Sequence, residues 1–171
     1  MNILVLGGTG AMGAHLVNLL AEQGHSVTVT SRSKRPDKPG VRYVTGNAHD
    51  LTFLRPILSA NKWDAVVDFM SYSFQQFKTN GPVLLQHTAQ YVFLSSSRVY
   101  ADSDKPLLET DARLLDNSPD KTYLNTSEYA LDKAREEDFL RNSGYNNWTI
   151  IRPYITYSEQ RLQLGVLEKE N

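Results

Sequence analysis

The 171-residue chain contains no cysteine. This absence excludes disulfide bonds, thiolate-bound metals and a thiol nucleophile, and it is typical of a reducing compartment. The histidines are few and lack the close pairing of a zinc site, so we expect no bound metal. They are His15, His25, His49 and His87.

Long apolar runs and a strong charge of either sign are also missing. No segment approaches the length of a membrane span, and the formal net charge is -1 with 22% charged residues. A balanced charge gives no global attraction to nucleic acid or to anionic lipid. We therefore expect a cytoplasmic protein that uses a local site, with neither nucleic acid nor membrane as partner.

Short apolar runs do occur, and they alternate with stretches that are compatible with helices. This alternation predicts an α/β domain whose parallel sheet is covered by helices on both faces. Six strands are predicted: Ile3 to Leu6, Ser26 to Thr30, Val41 to Thr45, Ala65 to Met70, Tyr91 to Ser95 and Trp148 to Ile151.

The helix signals differ in quality along the chain. A first helix is predicted over Ala11 to Gln23, ended by Gly24. Its apolar face would be formed by Met12, Leu16, Leu19 and Leu20.

A second clear helix would be capped by Thr126 or Ser127 and run to about Asn142. Between these two, Pro56 and the triplet Asn80-Gly81-Pro82 predict helices that are short or broken.

Glycines are concentrated at one place, in the stretch "ILVLGGTGAMG" from Ile3 to Gly13. The spacing GxGxxG between a predicted strand and a predicted helix is the fingerprint of a dinucleotide-binding turn, and a plain tight turn is the alternative. Such glycines let the backbone approach a pyrophosphate, and the helix start offers unpaired N–H groups. The candidate cofactor contacts are Gly7, Gly10, Ala11, Met12 and Gly13.

The end of the second predicted strand bears on the choice of cofactor. An acidic residue there would bind the ribose hydroxyls of NAD, but the chain has Ser31 and Arg32. A guanidinium suits the 2'-phosphate of NADP, so we expect NADP to be preferred over NAD. Ser33, Lys34 and Arg35 either assist or face water.

Two later stretches, "YVFLSSSRVYA" and "SEYALDKAREE", resemble the extended short-chain dehydrogenase/reductase superfamily, in particular its NAD(P)-dependent epimerase/dehydratase branch. The Tyr-xxx-Lys signature of that superfamily lies on Tyr129 and Lys133, and its serine on Ser96. The segment with Arg152 and Pro153 resembles the one that follows the sixth strand. The resemblance implies a Rossmann doubly wound sheet, which we expect in the order 3-2-1-4-5-6.

The resemblance also implies catalytic roles. Tyr129 would move a proton, Lys133 would favour the phenolate and bind the nicotinamide ribose, and Ser96 would orient the substrate, with Ser95 and Ser97 as substitutes. The spacing of Tyr129 and Lys133 is compatible with these roles, since residues four apart on a helix share one face. A pair of surface residues at this spacing is, however, commonplace. The implied partner is a small-molecule substrate, such as a nucleotide-sugar, and a homodimer is an option.

The chain departs from the superfamily at the end of the fourth predicted strand, "VVDFMSY". Phe69, Met70 and Ser71 are expected to line the cofactor there. Asp68 needs a partner, because a buried acid is costly alone. We expect it to bond backbone amides near the glycine turn or to reach the site, the structural role being favoured.

Length is a further departure. The resemblance implies an NAD(P)-binding domain over residues 1–157, and we expect residues 158–171 to be the start of a truncated carboxy-terminal substrate-binding portion. The long polar connection from Asp102 to Asn125 is a candidate lid. The rival hypothesis is a non-catalytic dinucleotide-binding module, either a redox-sensing regulator or an RNA-binding relative of the superfamily.

Overall fold

One parallel sheet organises the molecule. The computed structural model describes residues 1–156, and its strands lie side by side in the order β3-β2-β1-β4-β5-β6, every neighbouring pair being parallel. The predicted doubly wound sheet and its strand order are therefore confirmed. The strands are β1 (Asn2–Leu6), β2 (Ser26–Ser31), β3 (Val41–Thr45), β4 (Trp63–Asp68), β5 (Thr88–Leu94) and β6 (Trp148–Ile151).

Helices cover both faces of this sheet, as predicted. Val17 of the first helix packs with Val5 and Val29 on one face, and Phe77 and Leu140 of later helices pack on the other. No helix within residues 1–156 is long and apolar enough to span a bilayer. The helices are α1 (Ala11–Glu22), α2 (Leu51–Ala60), α3 (Phe74–Gln86), α4 (Leu114–Asn117), α5 (Lys121–Leu124) and α6 (Tyr129–Asn142).

The prediction of broken helices at the prolines is wrong. Pro56 lies inside α2 and Pro82 inside α3, and both helices continue through them. Each proline costs a backbone hydrogen bond, but good caps and a buried face compensate. The Asp50 carboxylate caps α2, and Ser73 and Gln76 form a capping box at the start of α3.

The apolar face of α1 agrees in part with the predicted one, because Leu16 and Leu20 pack against the core. Gly13 and Val17 are the buried residues of α1, whereas Met12 is 37% and Leu19 51% exposed. Gly13 packs against Gly8, in the turn between β1 and α1. The helix ends at Glu22, one residue earlier than predicted, and Gly24 follows it with φ +80°.

Helix α6 begins later than predicted. Glu128, not Thr126 or Ser127, caps the helix, because its carboxylate accepts the N–H of Ala130 at 2.7 Å. The Thr126 hydroxyl is used one turn earlier, where it donates to the carbonyl of Tyr123. The tyrosine of the Tyr-xxx-Lys signature is thereby placed at the first position of the helix.

The polar connection between β5 and α6 is partly ordered by two single-turn helices, α4 and α5. Arg113, just before α4, donates to the carbonyl of Ala134 in α6 at 3.0 Å and holds this end of the connection against the domain. The predicted carboxy-terminal portion, residues 158–171, lies outside the residues that the structure describes.

Candidate active site

The glycine turn combines tight packing with an open position. Gly7 has φ +68°, a conformation that favours glycine, and a Cβ on Gly13 would lie 2.6 Å from the Cα of Gly8. A Cβ on Gly10 would meet only the carbonyl oxygen of Gly7, at 3.8 Å. Gly13 is therefore required for packing of α1 on the glycine turn, whereas the space above Gly10 is free.

The start of α1 has the features of an anion site. Gly10 is the N-cap and gives no side-chain cap, and among residues 1–156 no acceptor is bonded to the amides of Ala11, Met12 or Gly13. Unpaired N–H groups and the helix dipole together attract a phosphate. The residues present thus fit the pyrophosphate of a dinucleotide.

Alanine substitutions separate these two uses of glycine. Gly13→Ala should lower the free energy of unfolding by about 1–3 kcal/mol, since backbone atoms of Gly8 cannot move aside as a side chain would. Gly10→Ala should change it by less than about 0.5 kcal/mol, because the new Cβ enters open space. Urea unfolding measures both, and equal losses would contradict the distinction.

Two adjoining cavities follow the carboxyl ends of the strands. The first, of about 460 Å³, lies between the glycine turn, the end of β4, the segment after β5 and the start of α6. The second, of about 570 Å³, extends from the same glycine turn to the ends of β2 and β3. They share Gly7, Gly10, Phe69, Met70 and Ser71, so together they form one groove.

The structure places every predicted site residue on this groove. Ser31 and Arg32 line the second cavity, and the remaining candidates line the first. The Ser31 hydroxyl is engaged within its own turn, where it donates to the carbonyl of Ser33 at 2.8 Å. The candidates on the first cavity are Gly7, Gly10, Ala11, Met12, Gly13, Phe69, Met70, Ser71, Ser96, Tyr129 and Lys133.

The three serines after β5 have different environments. The Ser95 hydroxyl donates to the buried carboxylate of Glu137 at 2.6 Å, so it is committed to the domain. The Ser96 hydroxyl accepts the N–H of Arg98 at 3.2 Å and keeps its own proton available. Ser97 also lines the first cavity. Of the two predicted substitutes, Ser97 is the one whose hydroxyl is not held by Glu137.

Tyr129 and Lys133 enter the first cavity from one face of α6. Tyr129 is 39% exposed, and the guanidinium of Arg98 lies 5.5 Å from the centre of its ring. Lys133 is 2% exposed, and its Nζ donates to Glu136 at 3.0 Å and reaches the Met70 carbonyl at 3.5 Å. Its ammonium also lies 4.5 Å from the centre of the Phe93 ring.

Beneath Lys133 lies a group of buried polar side chains. Asp68 is fully buried and accepts from the Met70 N–H and from the hydroxyls of Tyr72 and Tyr91, at 2.9, 3.0 and 2.7 Å. Burial raises the pKa of Asp68 despite these bonds. The predicted structural role is confirmed, because the backbone donor, Met70, lies beside the glycine turn: its Sδ would be 3.1 Å from a Cβ on Gly7. The two tyrosine partners were not predicted. The bond from the Met70 N–H also turns the chain, so β4 ends at Asp68 rather than at Met70.

Glu137 holds together the segments around the serines. Its carboxylate is fully buried and accepts from Arg152 at 2.6 and 2.8 Å, from Arg113 at 3.4 Å and from Arg141 at 3.2 Å. The Arg152 guanidinium also lies 4.6 Å from the centre of the Tyr100 ring. This network fixes the chain after β5 against the chain after β6.

Several residues of the groove are absent from the sequence prediction. What these residues share is their position in the sequence: each follows β1, β3 or β6, and the carboxyl ends of these strands lie at the same edge of the sheet. Polar residues directly after β3, such as Asn47 and His49, could have been found this way. The additional lining residues include Thr9, Gly46, Asn47, Ala48, His49, Pro153, Tyr154, Ile155 and Thr156.

Comparison with known proteins agrees with this geometry. The profile of the NAD dependent epimerase/dehydratase family matches residues 3–167. The chain belongs to this family. It therefore lies in the extended short-chain dehydrogenase/reductase superfamily, which confirms the resemblance inferred from the motifs.

Individual members of the family show how far the similarity extends. The chloroplast stem-loop binding protein of 41 kDa b from Arabidopsis thaliana is 30% identical over 91% of this chain, which covers 42% of that protein. A UDP-glucose 4-epimerase from Lacticaseibacillus casei is 30% identical over 68% of the chain, again covering 42% of the relative. The chain thus spans less than half the length of these relatives.

A solved structure shares the fold. The Bordetella bronchiseptica enzyme WbmH, crystallised in complex with NAD+, superposes with a TM-score of 0.65 at 23% identity, over 88% of this chain and 55% of that one. At this identity the similarity concerns the architecture, which is the six-stranded sheet with its flanking helices.

Proposed function

We propose that the groove binds NADP or NAD, and that the full-length protein uses it for redox chemistry on a nucleotide-linked sugar or a related hydroxyl or carbonyl compound. The reaction would be an epimerisation, a dehydration or a reduction. The observation that carries the proposal is a single groove that combines the uncapped start of α1 with Ser96, Tyr129 and Lys133.

The roles follow from the surroundings of each side chain. The amides of Ala11, Met12 and Gly13 would hold the pyrophosphate. The bound coenzyme would supply a hydride acceptor or donor at the end of the groove where Tyr129 lies. The Tyr129 phenol would move the substrate proton, the Ser96 hydroxyl would orient the substrate oxygen, and the Lys133 ammonium would favour the phenolate because opposite charges attract in a partly desolvated site.

The second cavity supports NADP as the preferred coenzyme. Arg32 lines it just beyond the end of β2, and no carboxylate is among its lining residues within the described chain. A guanidinium there matches the 2'-phosphate of NADP, whereas an acidic residue would match the ribose of NAD.

A thermal-shift experiment tests coenzyme binding and preference together. A ligand at about 100 times its dissociation constant adds about 2.7 kcal/mol of stability, so NADPH should raise the melting temperature by several degrees and NADH by less. Gly10→Ala should abolish both shifts while the unliganded protein keeps its stability. Arg32→Ala should reduce only the NADPH shift. A larger shift with NADH would contradict the role of Arg32, and no shift with either would contradict the proposal.

The substrate class has its support in the relatives. Several relatives that match this chain are named as UDP-glucose 4-epimerases, and Tyr129 lines the first cavity. Catalysis requires the substrate carbon to be held within reach of Tyr129 and the coenzyme. The substrate of the full-length protein is therefore best sought among nucleotide-sugars.

The rival hypothesis of a non-catalytic module is less well supported. The Arabidopsis relative is named for stem-loop binding, but the present chain has a net charge of -1, and phosphate backbones are bound mainly through Lys and Arg. The presence of Ser96, Tyr129 and Lys133 on one cavity also favours catalysis. Salt-dependent binding of a stem-loop RNA without any coenzyme-induced stabilisation would favour the rival.

A further inference from the structure

Lys133 shares its buried site with a carboxyl group that the proposed reaction does not use. Glu136 is fully buried, one turn along α6, and its Oε2 accepts from the Lys133 ammonium at 3.0 Å. Its other oxygen, Oε1, has no hydrogen-bond partner among the described residues. A buried carboxylate with one oxygen unpartnered is stabilised poorly, so a proton is readily taken up there.

The groups facing Glu136 come from three parts of the fold. Asp68 ends β4, Tyr72 follows β4, and Tyr91 belongs to β5, while Asp132 and Lys133 lie on α6 with Glu136. Asp68 has three donors and Glu136 has one. Burial, outweighing the attraction of Lys133, raises the pKa of Glu136 to about 7. Burial raises the pKa of Asp68 as well, so the Glu136→Gln variant described below is needed to separate the two carboxyl groups.

The charge of the Lys133 and Glu136 pair is felt in the first cavity, because Lys133 lines it. With Glu136 ionised the pair is neutral, and with Glu136 protonated the pair carries one positive charge. The oxidised nicotinamide ring is positively charged and the reduced ring is neutral. A positive pair therefore disfavours the oxidised coenzyme, whereas it leaves the reduced one largely unaffected.

We infer that Glu136 is a positioning residue which, by pairing with Lys133, sets the preference of the site between oxidised and reduced coenzyme and makes that preference depend on pH. The inference rests on the proposed coenzyme binding. It adds a coupling that the proposed reaction does not require: binding of the oxidised form displaces a proton from Glu136, and binding of the reduced form does not.

The measured quantity is the ratio of two dissociation constants, that of NADP+ over that of NADPH, at pH 6 and pH 8. NAD+ and NADH replace them if NADH gives the larger thermal shift. Contributions from the part of the groove around Arg32 are common to both forms and cancel in the ratio. Tyr129→Phe serves as the background, because a phenolate would also favour the oxidised form at high pH.

In the Tyr129→Phe protein the ratio of dissociation constants should fall about tenfold from pH 6 to pH 8. One nearby charge changes the binding constant of a charged ligand by about a factor of ten or more. Adding Glu136→Gln should leave the ratio at its pH 6 value throughout. Glu22→Gln, which removes an exposed carboxylate at the far end of α1, should leave the tenfold fall intact.

The outcomes separate the inference from the proposed function. A ratio independent of pH in the Tyr129→Phe protein would overturn the role of Glu136 even if both forms bind, and this holds whether or not the Glu136 variant folds. A tenfold fall that persists in the Glu136→Gln protein would overturn it as well. Failure of both forms to bind at either pH would instead overturn the proposed function.

Discussion

Replacing Glu137 with glutamine should lower the free energy of unfolding by about 3–5 kcal/mol at pH 7, the range expected when one partner of a buried ion pair is removed. Glu137 is fully buried and faces the guanidinium groups of Arg113, Arg141 and Arg152 together with the Ser95 hydroxyl. A glutamine has an NH2 group in place of one carboxylate oxygen, and this group would face the N–H and O–H donors of the arginines and the serine. Urea unfolding followed by circular dichroism gives the difference.

The neighbouring glutamate provides the matched control. Burial alone would raise the pKa of Glu137, but bonds from Arg152 and Ser95 outweigh burial and hold it below its usual value. Its contribution to stability is therefore present at neutral pH and is lost as the pH falls through the folded-state pKa. Glu136 has a raised pKa of about 7, so its contribution is present in acid and is lost as the pH rises toward and through that value.

Glu136→Gln should consequently be neutral near pH 4 and stabilising at pH 8, by up to about 3 kcal/mol. Glu137→Gln should be destabilising at pH 8, and less so in acid. Unfolding curves of both variants at the two pH values check the opposite signs. Similar losses for both variants at pH 8 would show that the two carboxylates are not held in the different environments described above.

Tyr129→Phe should reduce the turnover number of the full-length protein with a nucleotide-sugar by about 10²–10⁴-fold, the usual contribution of a positioned proton-transfer group. Coenzyme affinity at a fixed pH below 7 should change little, because the ring is retained. Steady-state kinetics and a coenzyme titration separate the two effects.

Tyr145→Phe is the appropriate control for this prediction. Tyr145 is 37% exposed and Tyr129 is 39% exposed, so the two side chains are similarly accessible. Tyr145, however, follows α6 and does not line the groove. Its substitution should leave turnover unchanged. Full activity of the Tyr129 variant would refute proton transfer by this phenol, whatever the coenzyme affinity.

The parts of this molecule that could be predicted from sequence are those encoded locally. The glycine turn and the short apolar runs are continuous in the sequence, and they predicted the six strands and the placement of α1, whereas the strand order was implied by the resemblance to the superfamily. Helices α2 and α3 could not be judged in the same way. Their prolines are visible in the sequence, whereas the caps at Asp50 and Ser73 and the burial of Leu54 and Phe77 that offset them depend on the tertiary structure.

The environment of the site was less predictable for a related reason. Two adjacent glutamates, Glu136 and Glu137, look equivalent in the sequence but face different parts of the fold. Glu137 meets arginines that lie 24 residues before it and 15 after it, and Glu136 meets Lys133 and the acid at the end of β4. Contacts across such separations leave no periodic signal. The same applies to Asp68, whose need for partners could be inferred but whose two tyrosine partners could not.

The contacts of Arg113 with α6 and Asp116 decide which loops can be exchanged between members of this family. Residues 102–110 are all exposed, whereas Arg113 is held by Asp116, by Asp138 and by the Ala134 carbonyl. A foreign loop grafted in place of residues 102–107 would therefore leave the framework intact, and one that replaced Arg113 would not. Chimeras with crossover points on either side of that arginine should differ sharply in yield of folded protein.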